Sequence, residues 1–252
     1  MLILTSQLPS GGYGYEFPSL NIKPMTFIEI CNYLENVPSD PLEKYLFDIK
    51  VLCNDDRKIM DCYLMDVDFL IFYKKLCTIS GDLSYDLTIK CPDCGNTINK
   101  KITLDKDIKF KQIDEKIMDG AIIRLGEHEY ETFVPTTKDF LKVFEKYLKY
   151  RKVEDLKIIK TIALIKDFGY AANQVEEDVL GAKHNDITLL MALRDLYYDR
   201  VEPIEIFCPV CNEGVEKERR KYVTVSVESL IVDFFRELIN NSPIDGTKIL
   251  FK

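Results

Sequence analysis

Cys91-Pro92-Asp93-Cys94-Gly95 and Cys208-Pro209-Val210-Cys211-Asn212 repeat one another as C-P-x-C followed by Gly or Asn. A Cys-x-x-Cys turn sets two sulfurs on one side of a tight loop at a separation that suits a tetrahedral ion, and two such turns supply four thiolates. The proline presets φ near its turn value. Gly95 or Asn212 can take the left-handed conformation that directs nearby backbone N–H groups at the sulfurs. Four cysteines leave no open coordination position, and a closed site is structural, because a catalytic zinc keeps a position for water or substrate. The pattern predicts a structural Zn2+ held by Cys91, Cys94, Cys208 and Cys211. Buried thiols, a redox pair or two separate disulfides are the other uses of paired cysteines. A thioredoxin-like pair opens a helix after a strand, and neither pair here does so.

Both knuckles sit between strand-like runs. Leu87-Thr88-Ile89 enters the first, and Thr97 to Leu104 leaves it with Ile98, Ile102 and Leu104 apolar. Ile204-Glu205-Ile206-Phe207 enters the second, and Tyr222-Val223-Thr224-Val225 follows a charged exit. Each knuckle reads as the tip of a β-hairpin, the build of a zinc ribbon. Residues 95–207 separate the two pairs, far more than the roughly 15–20 residues of a compact ribbon, so the ribbon is split and a folded insertion is expected between its halves.

The expected fold class is α+β, mainly helical with short β-hairpins and a split four-Cys zinc ribbon. The expected division is 1–84 as an N-terminal arm and helical region, 85–104 and 204–225 as the ribbon, 105–203 as a mainly helical insertion with a small hairpin, and 226–252 as a C-terminal helix and tail.

At the N-terminus, Leu8-Pro9-Ser10-Gly11-Gly12-Tyr13-Gly14-Tyr15 is turn-rich and Leu20-Asn21-Ile22-Lys23 alternates like a short strand. No Gly-Lys-Ser/Thr follows the glycines, so the loop reads as an anchoring arm or a partner-contact loop, not a phosphate cradle. Thr26-Phe27-Ile28-Glu29 fits a capping box opening a helix to about Asn36, and Asp40-Pro41-Leu42-Glu43 opens another with Leu42, Tyr45, Leu46 and Ile49 on one face. A third helix, Val67–Cys77, is apolar nearly all round, with Asp66 and Asp68 read as its N-terminal caps. Ala121–Leu125 and Tyr130–Val134 read as strands around a turn at Gly126. Helices follow from Thr136, through Leu156 to a stop at Gly169, from Asn185-Asp186, and from about Glu228 to Asn240.

The balance of 46% hydrophobic and 30% charged residues is that of a folded globular chain. No apolar run reaches the roughly 18 residues of a membrane span; the most hydrophobic stretch, Cys62 to Leu76, carries Asp66, Asp68, Lys74 and Lys75. The first residues lack a secretory pattern, so folding in a reducing compartment is expected, with Cys31, Cys53, Cys62 and Cys77 as small buried hydrophobes. The net charge of -8 weighs against nucleic acid as a partner, although Lys217, Arg219, Arg220 and Lys221 leave the second knuckle together. That basic exit is the basis of the alternative reading, a zinc-ribbon nucleic-acid-binding regulator.

Catalytic patterns are not found. Of the two histidines, His128 falls in a hairpin turn and His184 before a helix, and both read as surface residues. No H-E-x-x-H, G-x-S-x-G, dinucleotide or P-loop pattern occurs. A non-enzymatic protein without a small-molecule substrate is expected.

Leu8-Pro9-Ser10-Gly11-Gly12, then Ile22-Lys23-Pro24-Met25-Thr26, the apolar helix before Ser80-Gly81-Asp82, and Leu87-Thr88-Ile89-Lys90-Cys91-Pro92-Asp93-Cys94-Gly95, read in this order, resemble the T-even-type baseplate hub and hub-assembly proteins of contractile-tailed bacteriophages, some of which carry a zinc-ribbon insertion. The resemblance covers about the first 104 residues; beyond them only the second knuckle and the aromatic C-terminal helix correspond. It implies a structural or assembly component of the tail baseplate, made in the host cytoplasm, located in the virion and working through contacts with other tail and baseplate proteins.

Overall fold

The computed structural model describes residues 1–80, 84–107, 109–150, 156–166, 172–182, 184–198, 200, 202–216 and 222–225. The class is α+β: helices dominate, and the strands form separate antiparallel two-stranded sheets. The chain divides into two compact units, Met1–Thr78 with Phe110–Arg200, and Ile79–Lys109 with Val201–Lys252. Among the described residues no helix is long and apolar enough to cross a membrane.

In the first unit, β1 (Leu2–Leu4) pairs with β2 (Ser19–Asn21), and three helices follow. α1 (Phe27–Asn36) opens on the predicted capping box, with the Thr26 hydroxyl accepting from the Glu29 N–H and the Glu29 carboxylate accepting from the Thr26 N–H. α2 (Pro41–Asp55) is capped by Asp40, whose carboxylate accepts from the N–H groups of Leu42 and Glu43. It buries Leu42, Tyr45, Ile49 and Leu52, while Leu46 is only half-buried.

α3 (Leu64–Ser80) is the central helix, buried at nearly every position from Leu64 to Cys77. Two of those positions are lysines, and each is neutralised from α2: the Lys74 ammonium lies 2.7 Å from Asp55, and that of Lys75 lies 2.5 Å from Asp48. Asp48 also accepts from the Tyr33 hydroxyl of α1. A buried cation is tolerated only when paired in this way.

The part of the chain expected as an insertion shares this core. α5 (Glu115–Met118), the hairpin β5 (Ile122–Leu125) and β6 (His128–Glu131), α6 (Thr137–Tyr150), α7 (Leu156–Ile162), α8 (Ala172–Leu180) and α9 (His184–Tyr198) belong to the first unit. The Thr137 N–H donates to the Cys62 carbonyl and its hydroxyl to that of Ile59. Phe140, fully buried, meets Tyr45 edge-on at 5.4 Å. Lys160 pairs with Asp68 at 2.8 Å and lies 4.3 Å over the Tyr45 ring. Amphipathic periodicity shows that a helix has an apolar face, but not which distant surface covers it.

α7 ends at Ile162, earlier than expected, because Ile165 turns into a bridge with Thr132. Gly169, Lys217–Lys221 and the expected helix Glu228–Asn240 lie outside the described residues.

In the second unit, β3 (Ser84–Lys90) pairs with β4 (Thr97–Thr103) from Ser84 opposite Thr103 to Lys90 opposite Thr97. A short α4 (Leu104–Asp107) follows. β7 (Ile204–Phe207) pairs with β8 (Tyr222–Val225) from Ile204 opposite Val225 to Phe207 opposite Tyr222. Among its described residues, Leu87, Ile98, Ile102, Ile204 and Ile206 are buried aliphatics.

Candidate metal centre

The two hairpins carry the C-P-x-C turns at their tips, and the turns are built alike. In the first, the Cys91 N–H donates to the Asn96 carbonyl, and Gly95, at φ 71°, donates its N–H to the Cys91 carbonyl. In the second, the carbonyl of Cys208 accepts instead from the side-chain amide of buried Asn212, at 2.8 Å. Gly95 and Asn212 occupy the same place four residues after the first cysteine. A backbone donor in one knuckle is replaced by a side-chain donor in the other, and Gly214 supplies the left-handed residue two positions later.

All four sulfurs lie within 4.8 Å of one another. Cys91 lies 3.6 Å from Cys211 and Cys94 lies 3.7 Å from Cys208, so each contact runs from one knuckle to the other. Sulfurs at the corners of a tetrahedron, each roughly 2.3 Å from a central ion, are about 3.8 Å apart. The spacing fits that geometry and is too long for a disulfide bond.

The electrostatics also favour a cation. Backbone N–H groups of Cys94 and Asp93 point at the Cys91 sulfur and push its thiol down to about 7, stabilising the thiolate. Cys211 is pushed the other way, above the ordinary thiol range, chiefly by the neighbouring sulfurs of Cys94 and Cys91. Four sulfurs so close resist ionising together until a positive charge sits among them. The donor set and its geometry are therefore compatible with a bound metal ion.

Asp66 and Asp68 are not the helix caps that sequence position predicts. Asp66 is fully buried inside the first turn of α3. It accepts from the Ser10 N–H at 2.8 Å, the Ser10 hydroxyl at 2.6 Å and the Tyr15 hydroxyl at 2.5 Å. The Tyr15 oxygen in turn accepts from the Tyr63 N–H at 2.7 Å. The glycine loop thus wraps an anion, but the anion is the protein's own carboxylate. A β-carbon on Gly12, at φ 79°, would lie 3.0 Å from Thr5, which explains the glycine there.

His128, expected as a surface residue, is 34% exposed at its side chain and bonds through Nδ1 to Asp178 of α8 at 2.7 Å. Tyr130 and Gln174 donate to the same carboxylate. Burial raises the Asp178 carboxyl, but the Tyr130, Gln174 and His128 donors outweigh it and hold it below the usual carboxylate range. The group ties the β5–β6 hairpin to α8. The side chain of His184 lies outside the described residues.

Comparison with protein-family models, with curated proteins and with solved structures returned no match.

Proposed function

We propose that this chain is a non-enzymatic structural or assembly component of a bacteriophage tail baseplate, whose second unit is held together by one structural zinc and which acts through contacts with other tail proteins. The observation that carries this reading is the meeting of four cysteine sulfurs from two distant knuckles in one closed cluster. Cys91, Cys94, Cys208 and Cys211 would supply every ligand, so the ion would serve as a cross-link between chain segments and not as a Lewis acid toward substrate. A four-sulfur set suits zinc or iron, and zinc brings no redox chemistry of its own. The order of motifs from the glycine arm to the first knuckle supplies the baseplate assignment.

Native mass spectrometry and elemental analysis of the purified chain, followed by co-expression with the tail proteins of a contractile phage, test both parts. One zinc per chain and a stoichiometric complex with baseplate proteins are expected. A metal-free chain rejects the zinc, and a chain that binds no tail protein rejects the assembly role. Salt-dependent DNA or RNA binding lost on R219E and R220E substitution would favour the regulator instead.

A further inference from the structure

We infer that Cys94 and Cys211 are oxidation sites through which the clasp passes from four metal-binding thiolates to two disulfides, Cys94–Cys208 and Cys91–Cys211. The inference rests on the metal reading above. Two independent observations carry it. First, within the four-sulfur cluster two close contacts cross between the knuckles, Cys91 to Cys211 at 3.6 Å and Cys94 to Cys208 at 3.7 Å. Second, each of these contacts joins a more exposed cysteine to a buried one: Cys94 is exposed and Cys208 buried, Cys211 is partly exposed and Cys91 buried. Exposure decides which sulfur an oxidant meets, and contact decides which sulfur answers it.

The oxidant is a hydroperoxide, for which hydrogen peroxide is the simplest case. The Cys94 sulfur attacks one peroxide oxygen. An S–O bond forms, the O–O bond breaks, and the departing hydroxide takes a proton to leave as water. Cys208 then attacks the Cys94 sulfenyl sulfur, forming the S–S bond and expelling the second oxygen, which also leaves as water. Two thiolates have given up two electrons, and one peroxide has accepted them. Cys211 and Cys91 repeat the sequence with a second peroxide. A disulfide sulfur is a poor metal ligand, so loss of the ion accompanies the two bonds.

The structural consequence is specific. Disulfides within each knuckle would leave the two hairpins unconnected, whereas these join residues 120 and 114 positions apart, the same segments that the ion would join. The second unit would keep its clamp in both reducing and oxidising surroundings.

The experiment uses the full, metal-loaded chain. Hydrogen peroxide is added, metal release is followed with a chromogenic chelator, and an unreduced tryptic digest is read by mass spectrometry. Cys91 and Cys94 share the peptide 91–100, and Cys208 and Cys211 share 201–217. Release of the metal together with the appearance of these two peptides as one doubly linked species, with fragmentation assigning Cys94 to Cys208 and Cys91 to Cys211, is the expected result. Two separate peptides, each lighter by two hydrogens, overturn the inference, as do sulfinic acids, the opposite cross-pairing or four thiols left unreacted. A chain purified without metal overturns the metal reading alone, because the same cross-links would still form from free thiols.

Discussion

Ser10 holds Asp66 at both carboxylate oxygens, its backbone N–H on one and its hydroxyl on the other, across 56 residues of chain. The glycine loop is shaped by that contact. With Tyr15 as the third donor, the N-terminal arm is fastened to the first turn of the most deeply buried helix.

Removing the carboxylate should therefore free the arm. Asp66→Ala leaves the Ser10 N–H, the Ser10 hydroxyl and the Tyr15 hydroxyl without their acceptor, and a cost of about 3 kcal/mol is expected. Urea unfolding measures it. Limited proteolysis of the native variant should cut first within residues 8–15, and a variant whose arm resists cleavage as well as the wild type would show that Asp66 is not the anchor.

The same carboxylate makes stability depend on pH in an unusual direction. Burial pushes it from 3.8 up to about 6, against the pull of Ser10 and Tyr15. Because the folded chain holds this proton more tightly than the unfolded one, the contribution is fully present below pH 3.8 and is lost as pH rises through about 6. Relative to Asp66→Asn, which carries no charge at any pH, the wild type should lose on the order of 2 kcal/mol between about pH 4 and pH 7. Parallel stability curves for the two proteins would contradict this.

Metal removal should act on one unit. Structural zinc sites contribute apparent energies of about 10 kcal/mol in small domains. Cys208→Ser, or a strong chelator, should expose the amides of β3, β4, β7 and β8 to rapid hydrogen exchange. Amides of α2, and of α3 as far as Thr78, should stay protected, since none of the four cysteines belongs to their unit. Equal loss of protection in α3 would show that the two units unfold together.

Two glycines provide a contrast in backbone tolerance. Both have positive φ, +81° at Gly120 and +61° at Gly126, but a β-carbon on Gly120 would lie 1.8 Å from the Thr132 carbonyl oxygen, and one on Gly126 meets nothing within 4 Å. Gly126→Ala should cost about 1 kcal/mol, the strain of the left-handed conformation alone. Gly120→Ala should cost about 3 kcal/mol or more, because the backbone must move as well. Thermal unfolding of the two variants checks the order, and similar melting temperatures would refute it.

Local chemistry was legible in advance. Thr26 and Glu29 sit three residues apart, Asp40 precedes Pro41, and the helices begin where those residues place them, since a cap satisfies N–H groups one turn away and needs nothing from the rest of the chain. The hairpins around each knuckle could be read for the same reason, as alternation and a turn motif are contained within one continuous stretch, 84–103 in the first and 204–225 in the second. The same local logic fails at Asp66, an acid near a helix start whose partners, Ser10 and Tyr15, lie far away in the chain.

By itself, then, the sequence determined each cysteine pair, the turn that presents it and the starts of α1 and α2, because those depend on residues a few positions apart, whereas α3 begins at Leu64 and not at the expected Val67. Tertiary structure decided that both pairs converge on one cluster, that Asp66 faces Ser10 and Tyr15, that Asp48 and Asp55 neutralise Lys75 and Lys74, and that α6 closes over Tyr45. Those choices are made between surfaces distant in the chain, where the cost of burying a charge or an apolar face selects the partner and no local spacing records it.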